Sequence, residues 1–203
     1  MDELSETAVA ADPFTEFARW YAEARTVHGD DADAMVVASA DESGAPSARV
    51  VLLRGHDERG FCFFTNYESR KGRELTVNPR AAVVLHWPGL RRQVRATGAV
   101  ERVSAAESDA YWFRRPVASR FSAWSSHQSE PVANRAVLEA AAAGAEARWA
   151  DGEDVPRPPF WGGFRLVPDT VELWLHRDDR LHDRVQYQRR AATGPWTITR
   201  LQP

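Results

Sequence analysis

Arg49-Val50-Val51-Leu52-Leu53-Arg54 runs into the turn-forming stretch His56-Asp57-Glu58-Arg59-Gly60, and out of it comes Phe61-Cys62-Phe63-Phe64-Thr65. Two apolar, β-branched or aromatic runs joined by a polar turn ending in glycine predict adjacent antiparallel strands. The same pattern extends upstream. Met35-Val36-Val37-Ala38 precedes a turn at Asp41-Glu42-Ser43-Gly44. Downstream, Ser69 to Leu75 reads as a short helix ended near Asn78-Pro79, and Ala81–Trp87 and Arg92–Val103 read as strands. Short strands linked by tight turns make an antiparallel meander.

Helical signals flank this meander. Asp12-Pro13 places a capping side chain before a proline at the first helical position, and Phe14, Phe17, Tyr21 and Ala24 recur at helical spacing. Residues 1–11 carry no period and predict a flexible tail. Ala105–Phe113 reads as a helix before Pro116, and Pro131–Trp149 is Ala-rich with high helix propensity. Asp151–Pro159 is acidic and Pro-rich, a loop. Strands return at Phe164–Val167, Val171–Leu175, Arg184–Gln188 and Trp196–Thr199. Strands interrupted by helices and then resumed predict a mainly β, α+β barrel with helical insertions, not a doubly wound sheet. Residues 12–203 form one domain, as a length of 203 residues allows.

Composition narrows the function. Hydrophobic residues make up 43%, enough for a core, and eight Trp suit both interfaces and stacking on flat cofactors. The 26 basic and 29 acidic residues give a net charge of −3, which disfavours nucleic acid as a partner. Basic residues cluster locally at Ser69-Arg70-Lys71, Leu90-Arg91-Arg92 and Arg114-Arg115, as local anion sites would. Cys62 has no partner cysteine and reads as a small buried apolar side chain. No apolar run is long enough to span a membrane, and no leader pattern is present, so a cytoplasmic protein is expected.

Several chemistries lack their residues. Gly-x-Gly-x-x-Gly, a phosphate-binding Gly/Lys/Ser loop, paired cysteines, His-Glu-x-x-His and Gly-x-Ser-x-Gly do not occur. His176 and His182 lack the further ligands a metal site needs, so no metal is expected. Many arginines, amides and hydroxyls remain, with Trp, an inventory suited to a phosphorylated aromatic ligand. Arg180-Leu181-His182-Asp183-Arg184 is the densest example. If extended, it points Arg180, His182 and Arg184 to one face, toward water or an anion.

Six motifs in order carry a resemblance. They are Ser47-Ala48-Arg49-Val50-Val51-Leu52-Leu53, Phe63-Phe64-Thr65-Asn66 with Ser69-Arg70-Lys71-Gly72, Arg92-Gln93-Val94, Trp124-Ser125-Ser126-His127-Gln128-Ser129, Phe160-Trp161-Gly162-Gly163-Phe164-Arg165 and Arg180-Leu181-His182-Asp183-Arg184. Together they resemble the FMN-dependent pyridoxine (pyridoxamine) 5′-phosphate oxidases from Asp12 to Pro203. The resemblance implies an antiparallel FMN-binding split β-barrel. It also implies a homodimer with FMN at the interface and a C-terminal dimerisation region over about 161–203. For FMN it implies Arg49 and Lys71 on the phosphate, assisted by Arg70 and Phe64-Thr65. Val50, Val51 and Leu52 line the site, Gln93, Gln128 and Ser129 bond the ring or ribityl chain, and Trp174 and Arg184 complete the pocket. For the substrate phosphate it implies Arg54, Tyr111, Arg115 and Ser119. Tyr111 and Arg115, four apart, would share a helix face, with Ser119 just beyond the break at Pro116.

Arg180 and His182 are implied as catalytic, over the substrate ring. The implied reaction oxidises pyridoxine or pyridoxamine 5′-phosphate to pyridoxal 5′-phosphate, with O2 as acceptor and H2O2 as product. Two departures stand out: Arg54 replaces the family's usual lysine, and Leu175-His176 replaces Gln-Gly. Arg54 keeps the charge but exchanges a compact ammonium for a planar fork. Two other readings remain: a same-fold flavin oxidase of another substrate, such as a reduced phenazine, and a non-catalytic binder of FMN or pyridoxal phosphate.

Overall fold

Nine antiparallel strands form one curled sheet in the computed structural model, which describes residues 4–149 and 155–203. The strands are β1 (Ala34–Ala40), β2 (Pro46–Leu52), β3 (Gly55–Asp57), β4 (Gly60–Asn66), β5 (Arg80–Trp87), β6 (Arg92–Arg102), β7 (Trp161–Leu175), β8 (Asp183–Gln188) and β9 (Thr197–Arg200). The helices are α1 (Pro13–His28), α2 (Arg70–Val77), α3 (Ala105–Trp112), α4 (Val117–Ser125) and α5 (Arg135–Arg148). The spatial order is β2-β1-β5-β6-β7-β4-β3, with β8 and β9 continuing from β7. No described helix is long and apolar enough to cross a membrane.

β7 organises the sheet. One edge pairs with β6 along most of its length; the other pairs first with β4 (Trp161 to Leu166) and then with β8 (Thr170 to Leu175). The two strands expected at 164–167 and 171–175 are therefore one strand. Pro168-Asp169, which looked like a break, is a bulge opposite Thr97/Gly98. Gly98 is required there: a Cβ would lie 2.1 Å from the Val167 carbonyl oxygen. β3, expected as part of a turn, pairs with β4.

The core lies between α1 and the sheet. Asp12 caps α1 by accepting from the Thr15 amide at 2.9 Å, as expected. Phe14, Phe17, Trp20 and Ala24 are buried, and Phe17 packs edge-on to Phe61 at 4.9 Å. A second cluster joins Trp112, Phe121, Val155 and Trp161. Trp112 and Trp124 donate their indole N–H groups to the carbonyls of Val155 and Pro156, both at 2.8 Å, pinning the described end of the Pro-rich segment. Residues 151–154 of that expected loop, and 1–3 of the expected tail, lie outside the described residues.

The rest of the expected tail packs down. Leu4 is 4% exposed and joins the main core. Its carbonyl accepts from Arg200 at 3.0 Å, and the Ala10 carbonyl accepts from Tyr187 at 2.8 Å. Pro116 also departs from expectation: it starts α4 rather than only ending a helix, because proline suits the start of a helix as well as its end.

Candidate active site

The end of β2, the middle of β4, the start of α2, the end of α3 and the loop after α4 surround a cavity of about 300 Å3. It is lined by Val50, Val51, Leu52, Arg54, Phe64, Thr65, Lys71, Tyr111, Arg115, Gln128 and Trp161. All but Trp161 are residues expected to bind cofactor or substrate. β2 alternates burial, so Arg49 and Val51 turn inward while Val50 (64% exposed) and Leu52 (45%) stand free on an apolar outer face.

Lys71 is the buried cation of this cavity. Its ammonium donates to Thr65 Oγ1 at 3.1 Å and to Gln128 Oε1 at 2.9 Å. Burial pushes its pKa down to about 8, and the neighbouring Arg49 charge adds to the shift. Ser69 caps α2 from just before this pair of basic residues, through a bond from the Gly72 amide. Ser129, at φ 78°, accepts the Arg70 amide at 3.1 Å and so ties the 126–130 loop to the same helix start.

Arg49 and Arg70 meet elsewhere, on the Glu74 carboxylate. Glu74 Oε2 accepts from Ser39 at 2.5 Å, Ser47 at 2.6 Å and Arg49 at 3.3 Å, while Oε1 accepts from Arg70 at 2.8 Å. Burial alone would raise the Glu74 pKa. The Ser39, Ser47 and Arg70 bonds and the Arg49 charge override it and hold the value at about 2. Glu74 was absent from the expected site, although Arg70 and Glu74 stand at the helical pairing distance i, i+4.

Aromatic rings wall the opposite side. Tyr111 stacks on Phe64 at 4.1 Å and 18°, and Phe64 lies 5.6 Å from Trp161 at 15°. The Arg115 guanidinium lies 4.7 Å above Trp161, with Nη1 buried and without a hydrogen-bond partner. Burial pushes its pKa down. Trp161 was missed as a site residue, although its motif was recognised. Arg115 was expected on the helix of Tyr111 and does not lie there. α3 ends at Trp112, and a turn closed by the Arg115 amide on the Trp112 carbonyl at 3.1 Å brings Arg115 round. Ser119 sits in the first turn of α4 and is not among the lining residues. Arg54 reaches the cavity wall and donates to Asp33 Oδ2 at 2.7 Å.

The remaining expected residues form a second group. Gln93, Trp174 and Arg184 are direct cross-strand neighbours on β6, β7 and β8. Arg184 holds Glu172 through two bonds (2.9 and 3.1 Å) and the Gln202 carbonyl at 2.8 Å. The His182 ring packs 4.8 Å from Trp174, and its Nδ1 accepts the Arg177 amide at 3.0 Å, so the neutral ring carries its proton on Nε2. The condition for a shared face of Arg180, His182 and Arg184, an extended run from 180, is not met, whereas the strand expected at Arg184–Gln188 forms. Strand β8 begins only at Asp183, and Arg180 is an exposed turn residue at φ 66°, closed on the Arg177 carbonyl. Asp183 is instead drawn into pairs with Arg177 and Arg200.

Trp161 belongs to the first group and Trp174 to the second, and both lie on β7. Thirteen steps along a strand span roughly 40 Å. The two groups therefore stand well apart along β7.

Comparison with known proteins covers the segments that carry both groups. Residues 23–148 match the family model described as pyridoxamine 5′-phosphate oxidase, and residues 161–203 match the pyridoxine 5′-phosphate oxidase C-terminal dimerisation region. The chain belongs to the pyridoxine/pyridoxamine 5′-phosphate oxidase family. It is 54% identical over 200 residues to the pyridoxine/pyridoxamine 5′-phosphate oxidase of Cupriavidus taiwanensis, covering 98% of this chain and 93% of the relative. It is likewise 54% identical over 195 residues to that of Ralstonia pickettii, covering 96% and 91%. Among solved structures, PhzG from Burkholderia lata, in complex with tetrahydrophenazine-1-carboxylic acid, superposes with a TM-score of 0.91 at 35% identity, covering 100% of this chain and 99% of that one. An FMN-binding protein from Nostoc punctiforme, related to pyridoxamine 5′-phosphate oxidase, shares the fold at TM-score 0.75 and 17% identity, covering 96% and 100%. The oxidase family is thus established, with a flavin as the cofactor its members point to and a dimerisation region that contains Trp174, His182 and Arg184.

Proposed function

We propose that this protein oxidises pyridoxine 5′-phosphate and pyridoxamine 5′-phosphate to pyridoxal 5′-phosphate as an FMN-dependent homodimer, with O2 as the terminal acceptor and H2O2 as product. The carrying observation is the cavity itself. Two cations, the buried Lys71 and the half-buried Arg115 with its Nη1 buried, border one space beside flat aromatic rings, and neither has a carboxylate partner among the described residues. Buried cations without counter-charge are costly, and a phosphate ester compensates them.

The residues fit FMN. Lys71, with Thr65, Gln128 and the capped start of α2, offers a phosphate cradle. The Arg49 charge adds to burial in depressing the Lys71 pKa. Gln93, Trp174 and Arg184 would complete the flavin pocket from the partner subunit. The exposed apolar face of Val50 and Leu52 supports such an interface.

Bound FMN supplies a two-electron acceptor for the hydrogen on the substrate's C4′ carbon. This chain supplies orientation, charge and proton handling. Arg115, Tyr111 and Arg54 hold the substrate phosphate, and the Phe64 and Trp161 rings exclude water. Arg180 and His182 of the partner subunit cover the pyridine ring. Arg180 steadies negative charge on the C4′ oxygen or nitrogen, and His182 offers Nε2–H to the ring's phenolic oxygen. Orientation of His182 is prepared by the Arg177 amide and the Trp174 face.

The likeness to PhzG favours a second reading, oxidation of a reduced phenazine carboxylate, whose anion the same arginines suit. The higher identity to relatives named for the B6 phosphates supports the first. The test is to load the purified protein with FMN and follow H2O2 in air with pyridoxine 5′-phosphate, pyridoxine and a dihydrophenazine carboxylate. Turnover confined to the phosphorylated pyridines is expected. Faster turnover of the phenazine favours the second reading, and flavin binding without turnover makes the protein a binder.

A further inference from the structure

We propose that Asp33 is a positioning residue that fixes the Arg54 guanidinium as the specificity-determining cation for the substrate's phosphate. The proposal rests on the functional reading above and adds a residue to it. Asp33 ends a short 3-10 turn (Gly29–Asp33) between α1 and β1 and is 5% exposed. Its two carboxylate oxygens are divided. Oδ1 accepts from the Tyr21 hydroxyl at 2.5 Å and from Arg25 at 3.0 Å, tying α1 to the turn. Among the described residues, Oδ2 accepts from Arg54 alone, at 2.7 Å. The backbone is held as well: the Leu53 amide donates to the Asp33 carbonyl and the Arg54 amide to the Cys62 carbonyl, each at 2.8 Å.

Arg54 stands on the wall between two spaces. One is the 300 Å3 cavity with Lys71 and Arg115; the other, about 620 Å3, is lined by Tyr21, Arg25, Asp33 and His56. A long, partly exposed arginine at such a boundary can swing to either side, and each rotamer it loses on binding weakens the complex. The Asp33 bond removes that freedom through one terminal nitrogen. It leaves the other N–H groups of the planar fork for a phosphate oxygen pair. A compact ammonium would need no such orientation, so the carboxylate matters because residue 54 is arginine. Asp33 does not line the 300 Å3 cavity and so acts through Arg54.

The experiment is a double-mutant cycle of Asp33→Asn and Arg54→Ala on the FMN-loaded dimer, with melting temperature and flavin content measured alongside. In the Arg54 background, Asp33→Asn raises KM for pyridoxine 5′-phosphate about tenfold with kcat within about twofold. Turnover of unphosphorylated pyridoxine is unchanged. In the Arg54→Ala background, Asp33→Asn changes KM no further. An unchanged KM, or an equal loss in both backgrounds, overturns the proposal. If Asp33→Asn fails to fold, Asp33→Thr removes the same charge while keeping an acceptor oxygen and is read the same way. If the wild type does not oxidise pyridoxine 5′-phosphate, the functional reading falls on its own. The Asp33–Arg54 coupling is then read from the Kd of pyridoxal 5′-phosphate across the same four proteins. Additive effects there overturn it, and a Kd that ceases to depend on Asp33 once Arg54 is gone sustains it.

Discussion

Lys71 and Glu74 lie one turn apart on α2, yet they serve different partners: the ammonium bonds Thr65 and Gln128, while the carboxylate takes Ser39, Ser47, Arg49 and Arg70. A buried cation beside a carboxylate already committed elsewhere is a site held open for an anion. It is also a strain on the flavin-free protein, because the charged form has lost water without gaining a counter-ion.

Lys71→Met is therefore expected to stabilise the flavin-free protein and to weaken FMN binding. Methionine keeps the stem's volume and removes the buried charge. The gain is about 1–3 kcal/mol, a few degrees in melting temperature, and the loss in FMN affinity is at least about tenfold. Melting curves of flavin-free protein and flavin titrations check both.

The same residue sets a pH dependence. Its folded pKa of about 8 lies below the ordinary 10.5, so between these values the unfolded chain binds more protons. The unfavourable contribution is complete below pH 8 and fades as pH rises through that window. The stability gap between Lys71→Met and wild type should narrow from pH 7 to pH 10. A constant gap contradicts the assignment.

Glu74 behaves oppositely. Its pKa falls from 4.5 to about 2, so its contribution is fully present above pH 4.5 and is lost as pH falls through about 2. Glu74→Gln should cost about 2–3 kcal/mol at pH 7, with a smaller difference from wild type at pH 3, measured by urea unfolding.

Arg115→Ala should raise KM for the phosphorylated substrate about ten- to a hundredfold, the range for a charge-assisted bond of about 1.5–3 kcal/mol. It should leave stability nearly unchanged, since the lost guanidinium had a buried nitrogen with no partner. Steady-state kinetics and a thermal melt separate the two effects.

Arg115→Ala and His182→Ala damage groups at opposite ends of β7. Co-expressed, they should form mixed dimers with one intact site of two. A random mixture then recovers about a quarter of wild-type turnover, from parents that each have little. No recovery in isolated mixed dimers places both residues in the same chain's site.

Much of the molecule was legible in the chain. Alternating and apolar runs marked most of the strands, because strand periodicity and turn chemistry are local properties. Ten of the cavity's eleven lining residues were named through the family resemblance, seven of them inside its motifs. What local pattern could not supply was partnership across the fold. Asp33 looks like one of several acidic residues after α1, and only the approach of β2 brings Arg54 to it. Trp161 reads as core until α3 and β4 are laid beside it. Whether the Arg180–Arg184 run is extended stayed open in the sequence; Asp183 is pulled inward by Arg177 and Arg200, and the chain turns before it becomes a strand.

β7 behaves like a ruler with two marked ends, and the bulge at Pro168-Asp169 lies between the marks. Inserting or deleting one residue there would reverse which faces its far half presents. Trp174 would trade places with its neighbours while Trp161 stayed put. In the proposed dimer, the spacing of that single ribbon would govern how far the centre a subunit encloses lies from the centre it finishes, and a length change in it would put both out of tune at once.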